Sequence, residues 1–153
     1  DPYGEFTSPV DPLDSNGNAH GTGVASVAVG GNLNETGNYL GVAPHATWIG
    51  ARVINGQSTS ESAIISALQW VLDPDGNPAT DDFPDIVQNS WGLSGSEGAC
   101  INPFATELAA IDAAGIDIVF SIGNTGSNAS TYLTPTFDGH VISVGAVDAT
   151  DKV

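Results

Sequence analysis

His20 opens the stretch His20-Gly21-Thr22-Gly23-Val24-Ala25-Ser26, and far downstream an apolar run ends in Ser121-Ile122-Gly123-Asn124-Thr125-Gly126. Between them lies Asn89-Ser90-Trp91-Gly92, where a hydroxyl, an indole and bare backbone stand side by side. Histidine is the side chain that exchanges a proton near neutral pH. Asparagine offers an uncharged hydrogen-bond donor. On local grounds each also has a plain structural reading: a histidine at a helix start caps it or fills the core, an asparagine in Gly-Asn-Thr-Gly tolerates a left-handed turn, and Trp91 packs inside. The other histidines, His45 and His140, lack metal-ligand spacing and read as structural or surface residues. Cys100 is the only cysteine, so no disulfide can form within the chain, and nothing beside it in Ala99-Cys100-Ile101-Asn102-Pro103 supplies a base to make it a nucleophile.

The elements that must position these residues follow from periodicity. Val24, Ala25, Val27 and Ala28 recur at helical spacing, which predicts a short helix over His20 to Val29, followed by an Asn-rich loop from Gly30 to Gly41. The first nineteen residues, rich in Pro, Gly, Asp and Asn, read as a surface loop. Ala46 to Ile54 reads as a strand and Ser60 to Leu72 as an amphipathic helix, with Ser58, Thr59 and Ser60 as capping candidates. After a Pro-, Asp- and Asn-rich turn region from Asp73 to Pro84 come a strand from Asp85 to Ser90, a helix from Pro103 to Ala114, a near-continuous apolar strand from Ile116 to Ile122 and a strand from His140 to Val147. Continuously apolar strands alternating with helices predict an α/β fold: a mostly parallel sheet flanked by helices on both faces. Ligands of such sheets gather at the carboxyl ends of the strands, where Ser90-Trp91-Gly92 and Gly123-Asn124 fall. One shared cleft is expected.

Composition narrows the partners. A chain of 153 residues suits one domain or a large piece of one. Its 18 acidic against 2 basic residues, formal charge −16, exclude the clustered cations that nucleic acid or anionic lipid requires. With so few cations, most carboxylates must be solvated or ligate metal ions. No apolar run is long enough to span a membrane, and no basic-then-apolar signal begins the chain; its start at Asp1 reads as an excision, with a signal lost upstream. Gly-x-Gly-x-x-Gly follows no strand, which argues against a dinucleotide site.

Taken in order, the motifs resemble those of the subtilisin-like serine proteases, the subtilases. That family carries His-Gly-Thr-His-Val-Ala-Gly at the start of a buried helix, which this chain matches at His20, Gly21, Thr22, Val24 and Ala25 and leaves at Gly23 and Ser26. Gly41-Val42-Ala43-Pro44 matches the segment leading to the family's next strand, Ser90-Trp91-Gly92 falls on the substrate-binding segment, and Gly123-Asn124 on the oxyanion asparagine. Val141 to Asp148 resembles the following core strand. The Asn89 to Gly92 version, with the long Asp73 to Pro84 insertion before it, is similar to the bacillopeptidase F branch.

The resemblance implies a serine endopeptidase working through an acyl-enzyme, with His20 as general base and Asn124 as oxyanion donor. It implies a substrate site formed by Ser90, Trp91, Gly92, Ser121, Gly123 and Leu133, with Leu133 where many relatives have glycine and a cis bond expected at Thr134-Pro135. Neither a Gly-Thr-Ser nucleophile motif nor an apolar strand ending in Asp is present, and Asp14, in the turn Leu13 to Gly17, lacks a strand to hold it as the triad acid. Residues 1–153 are therefore expected to be the central part of a catalytic domain, 1–19 a surface loop and 20–153 its α/β core, inactive alone and inclined to self-associate. A secreted parent acting on proteins or peptides is expected. The alternative is a non-catalytic binding or scaffold module that keeps the fold, for which Gly23, Ser26 and the missing motifs would speak. No cofactor is required; calcium is a candidate in the loop after the histidine helix, where Asn32, Asn34, Glu35 and Asn38 offer oxygens, although a solvated loop is the plainer reading. Asp73-Pro74-Asp75-Gly76-Asn77 starts like an EF-hand loop, but its glycine comes too early and Pro84 stands where a bidentate Glu is needed, so that reading fails.

Overall fold

The structure, a computed structural model, describes residues 20–31, 39–54, 58–124, 126 and 132–152. The chain forms two compact units, Asp1–Ala63 and Ile64–Val153. In the first, helix α1 spans His20–Val29, the range its small-residue periodicity predicts. Residues 46–54 form no strand. A strand exists only where a neighbour completes its ladder; here Trp48, Ile49 and Ile54 stay 51%, 47% and 41% exposed. Helix α2, Glu61–Trp70, begins behind Ser60, whose Oγ accepts the Ala63 amide at 3.2 Å, so of the three capping candidates Ser60 makes the cap bond.

The second unit holds a parallel three-stranded sheet, β1 (Ile86–Asn89), β2 (Asp117–Ser121) and β3 (Ile142–Val144), in that spatial order. Helix α3, Ala105–Ala113, makes the crossover between β1 and β2 and packs on β2. Gly115, at φ 84°, ends it in a left-handed turn that a β-carbon would strain. The core is mainly apolar: Leu108 and Ile111 from α3, Ile118 and Phe120 from β2, and Phe104 and Ile116 beside them are all buried, as are Ile64 and Leu68 on one face of α2. β3 is shorter than the pattern from His140 to Val147 predicts, and all three of its residues are exposed. As an edge strand with no described partner beyond it, it has nothing to extend its ladder. Among the described residues no helix is long and apolar enough to cross a membrane.

An exposed ion pair ties α3 to the turn before β3: His140 Nδ1 lies 2.8 Å from Asp112 Oδ2. That hydrogen bond, reinforced by the charges of Asp112 and Asp138, raises the His140 pKa above its ordinary 6.5. A raised histidine value means that the pair's stabilisation is fully present below the ordinary value and is lost as pH rises through the elevated one. Asp112→Asn should therefore destabilise the protein more at about pH 5.5 than at about pH 8.5 in denaturant unfolding. It should also bring the His140 titration, followed by NMR, back towards the ordinary value. Equal destabilisation at both pH values would refute the coupling.

Candidate active site

His20 is the first residue of α1 and is exposed. The two departures from the subtilase pattern sit in this helix without disturbing it. A β-carbon on Gly23 would meet nothing within 4 Å, and Ser26 donates its Oγ to the Thr22 carbonyl at 2.7 Å, the back-bond that a helical serine makes one turn earlier. Beyond the helix, Gly41, Val42 and Ala43 donate their amides to the carbonyls of Gly30, Val27 and Ala28 at 2.9, 3.1 and 2.9 Å. Helix-end carbonyls that would otherwise lack partners are thereby satisfied. The approach admits only glycine, since a β-carbon at Gly41 would stand 2.3 Å from the Gly30 nitrogen.

The other predicted site residues lie in the second unit, at the carboxyl ends of β1 and β2. Asn89, the last residue of β1, pairs in register with Phe120, so the chain leaves β1 at Ser90 while Ser121 is still held in the sheet by Val144. Asn89 is 7% exposed, and it is a residue whose part sequence reasoning missed. Its Oδ1 accepts Trp91 Nε1 at 3.1 Å while its Nδ2 donates to the carbonyls of Val87 and Val119, each at 3.4 Å. The indole it orients packs edge-on against Phe104 and Phe120, with ring centroids 5.7 and 5.0 Å away. One side of Trp91 is therefore core, and the rest is partly exposed. Ser90 Oγ accepts Gln88 Nε2 at 2.6 Å.

After β2 the chain must turn sharply. Ile122 N still bonds the Val144 carbonyl at 2.9 Å, then Gly123 takes φ 110°, which only glycine adopts without strain, and Asn124 follows exposed. Leu133 lies directly on Gly92: a β-carbon there would stand 2.7 Å from Leu133 Cβ. Next to this contact, Leu93 and Thr134 form an antiparallel bridge, and the Thr134-Pro135 bond is cis, as the alignment on Pro135 expects. Cys100 is exposed and in no disulfide; the electrostatic influence of Cys100 beside it, then burial and a side-chain hydrogen bond to Cys100, raise the Tyr132 pKa.

The calcium candidates Asn32, Asn34, Glu35 and Asn38 lie outside the described residues. A different group does come together. Asp73, Asp75 and Asp82 each offer an oxygen within 4.8 Å of the others, and could hold a metal ion. Asp82 is drawn back by the Asp75 amide, which donates to its Oδ2 at 2.8 Å. Asp73 Oδ1 is buried without a hydrogen-bond partner, the state of an oxygen that suits a hard cation. Spacing along the chain marks Asp73 and Asp75 only as the start of an EF-hand-like loop that fails further on; Asp82 joins them because the turn structure brings it close.

Comparison with known proteins finds relatives of one family across nearly the whole chain. The model of the subtilase family, a peptidase family, matches residues 5–153. Bacillopeptidase F of Bacillus subtilis (strain 168) is 38% identical over 122 residues, 77% of this chain and 8% of that protein. Subtilisin DY of Bacillus licheniformis is 35% identical over 142 residues, 91% of this chain and 47% of that protein. A cuticle-degrading serine protease of Arthrobotrys oligospora is 32% identical over 145 residues, 94% of this chain and 31% of that protein. The chain thus spans less than half the length of each of these relatives. With a parallel α/β sheet whose carboxyl ends carry the expected segments, and one family model matching nearly all its residues, the chain belongs to the subtilase family.

Proposed function

We propose that the parent protein is a secreted serine endopeptidase of the subtilisin type, and that residues 1–153 are part of one catalytic domain. The observation that supports this reading most is the subtilase match over residues 5–153; the roles of His20 and Asn124 are taken from the resemblance of their motifs. The nucleophilic serine and its aspartate would come from outside these residues. In the reaction the serine hydroxyl attacks the scissile carbonyl carbon as His20 takes its proton. Asn124 donates a hydrogen bond to the carbonyl oxygen as that oxygen gains its negative charge. The C–N bond then breaks, and the leaving amine takes the proton from His20. Water, deprotonated by the same imidazole, releases the acid and restores the serine. The exposed acidic surface suits a secreted protein acting on peptide substrates. Subtilases commonly bind calcium, and among the described residues Asp73, Asp75 and Asp82 are the group that could take such a cation.

A fluorophosphonate probe tests the reading at both lengths. The full-length parent should be labelled at one serine; an unlabelled parent overturns the peptidase assignment in favour of a scaffold. The isolated chain should remain unlabelled and show no peptide hydrolysis, because catalysis without the triad nucleophile is only ~10³–10⁴ over water. Sedimentation should show it self-associating through apolar residues such as Ile86, Ile142, Val144 and Val147, which are 59%, 52%, 49% and 58% exposed. A labelled serine within residues 1–153, or a stable monomer, would contradict this picture of the fragment.

Specificity follows from what lines the site. Leu133 fills the space over Gly92, and neither Ser90 to Gly92 nor Ser121 to Asn124 supplies a carboxylate to pair with Lys or Arg. The residue before the cut should be small or medium apolar, with discrimination of only ~1–3 kcal/mol per methylene. A peptide library profiled with the parent checks this, and strong selection for Arg or Lys would refute it.

A further inference from the structure

We infer that Thr134, through its hydroxyl on the Ile101 carbonyl, and Ser96, through the Thr134 amide, are positioning residues that together set where Leu133 sits against Gly92 and thereby fix the size selectivity of the substrate site; this inference rests on the peptidase reading above. Thr134 is 0% exposed, yet its three polar atoms are all engaged, and all with one segment. Its amide donates to Ser96 Oγ at 2.9 Å, its hydroxyl to the Ile101 carbonyl at 3.0 Å, and its own carbonyl accepts the Leu93 amide at 3.1 Å. Ser96 passes the connection on by donating its Oγ to the Leu93 carbonyl. A buried position as such calls for an apolar side chain, and valine has the shape of threonine; burying a hydroxyl is costly unless it is hydrogen-bonded. What the hydroxyl adds is direction. It ties the strip that carries Leu133 to the loop that continues from Gly92, so the contact between Leu133 and Gly92 cannot slide.

On the other side of Leu133, its carbonyl accepts both the amide and the hydroxyl of Thr136, at 2.8 and 2.6 Å. Leu133 is thus held from both flanks. Its side chain, only partly buried, lies against Gly92, in the segment that the peptidase reading assigns to substrate. Loosening the Thr134 side should let Leu133 withdraw and admit larger residues.

The test uses the full-length parent and a competition assay between two peptides that differ only in the residue before the cut, alanine against phenylalanine. The ratio of their kcat/KM values does not depend on how much of the enzyme is folded, so a purely structural loss would not move it. Thr134→Val and Ser96→Ala should each shift the ratio towards phenylalanine by about three- to tenfold, the effect of one hydrogen bond. Thr134→Ser, which keeps the donor to Ile101, should retain the ratio of the unmodified enzyme. An unchanged ratio in both Thr134→Val and Ser96→Ala overturns the inference while leaving the peptidase reading intact. So does a shift in Thr134→Ser as large as that in Thr134→Val. A parent that cleaves neither peptide overturns both together.

Discussion

His20→Ala in the full-length parent should lower kcat by about 10⁶ while KM stays within a few-fold, the pattern expected when one member of a catalytic triad acting as a unit is removed. The size follows from the chemistry. A serine hydroxyl is almost wholly protonated at neutral pH, and without an imidazole to take its proton the attack has no driving force. Ground-state binding uses other atoms, so KM has little reason to change. His20 is exposed at the first position of α1, and a surface substitution of this kind usually stays within about 0.5 kcal/mol of neutral, so the fold should survive. Steady-state kinetics beside a thermal melt would separate the two effects. A variant that keeps activity within tenfold, with an unchanged melt, would remove His20 from the chemistry altogether.

The second large effect belongs to Asn124. Its replacement by alanine should reduce kcat by about 10²–10³ and leave KM nearly unchanged, because an oxyanion donor meets its full partner only in the transition state. The loss should be well below that of His20→Ala, since proton transfer continues and any further donors at the oxyanion remain. Backbone geometry supports a dedicated role for this position: Gly123, at φ 110°, turns the chain out of β2 so that Asn124 emerges exposed beyond the strand. Asn124→Asp, which has the same shape but no amide donor, should be at least as impaired. Pre-steady-state rates that show the loss in binding, with the chemical step untouched, would assign Asn124 to the substrate rather than to the oxyanion.

Much of the scaffold was legible because local and global preferences agree. The helix beginning at His20 matches its predicted span, and β2, Asp117–Ser121, falls inside the apolar run from Ile116 to Ile122. Where the sequence misled, the missing term was a partner. Residues 46–54 have strand-like composition, but composition cannot supply a ladder. The candidate site divides in the same way. His20 and Gly123-Asn124 stand out through the order of their motifs, and the cis Thr134-Pro135 bond was anticipated only through the alignment that the resemblance provides. The hydrogen-bonding parts of Asn89, Ser96 and Thr134 carry no such mark. Their hydrogen bonds join residues that are distant in sequence, such as Asn89 with Val119 and Thr134 with Ser96, and no periodicity records a contact of that kind. Asp82 escaped notice for a related reason, because it reaches Asp73 and Asp75 only after the chain has turned.

The pairing of Gly41 with Gly30 has a consequence for how this protein can change over time. The two glycines meet through a backbone hydrogen bond of 2.9 Å and form the neck of the loop between them. That contact depends on main-chain atoms and on the absence of two β-carbons. Doubling the length of a flexible loop costs only about 0.6 kcal/mol in closure entropy. An insertion between the glycines would thus be tolerated far more readily than a single methyl group at either one. Divergence in length and composition should accumulate inside the neck, while the neck itself admits almost none.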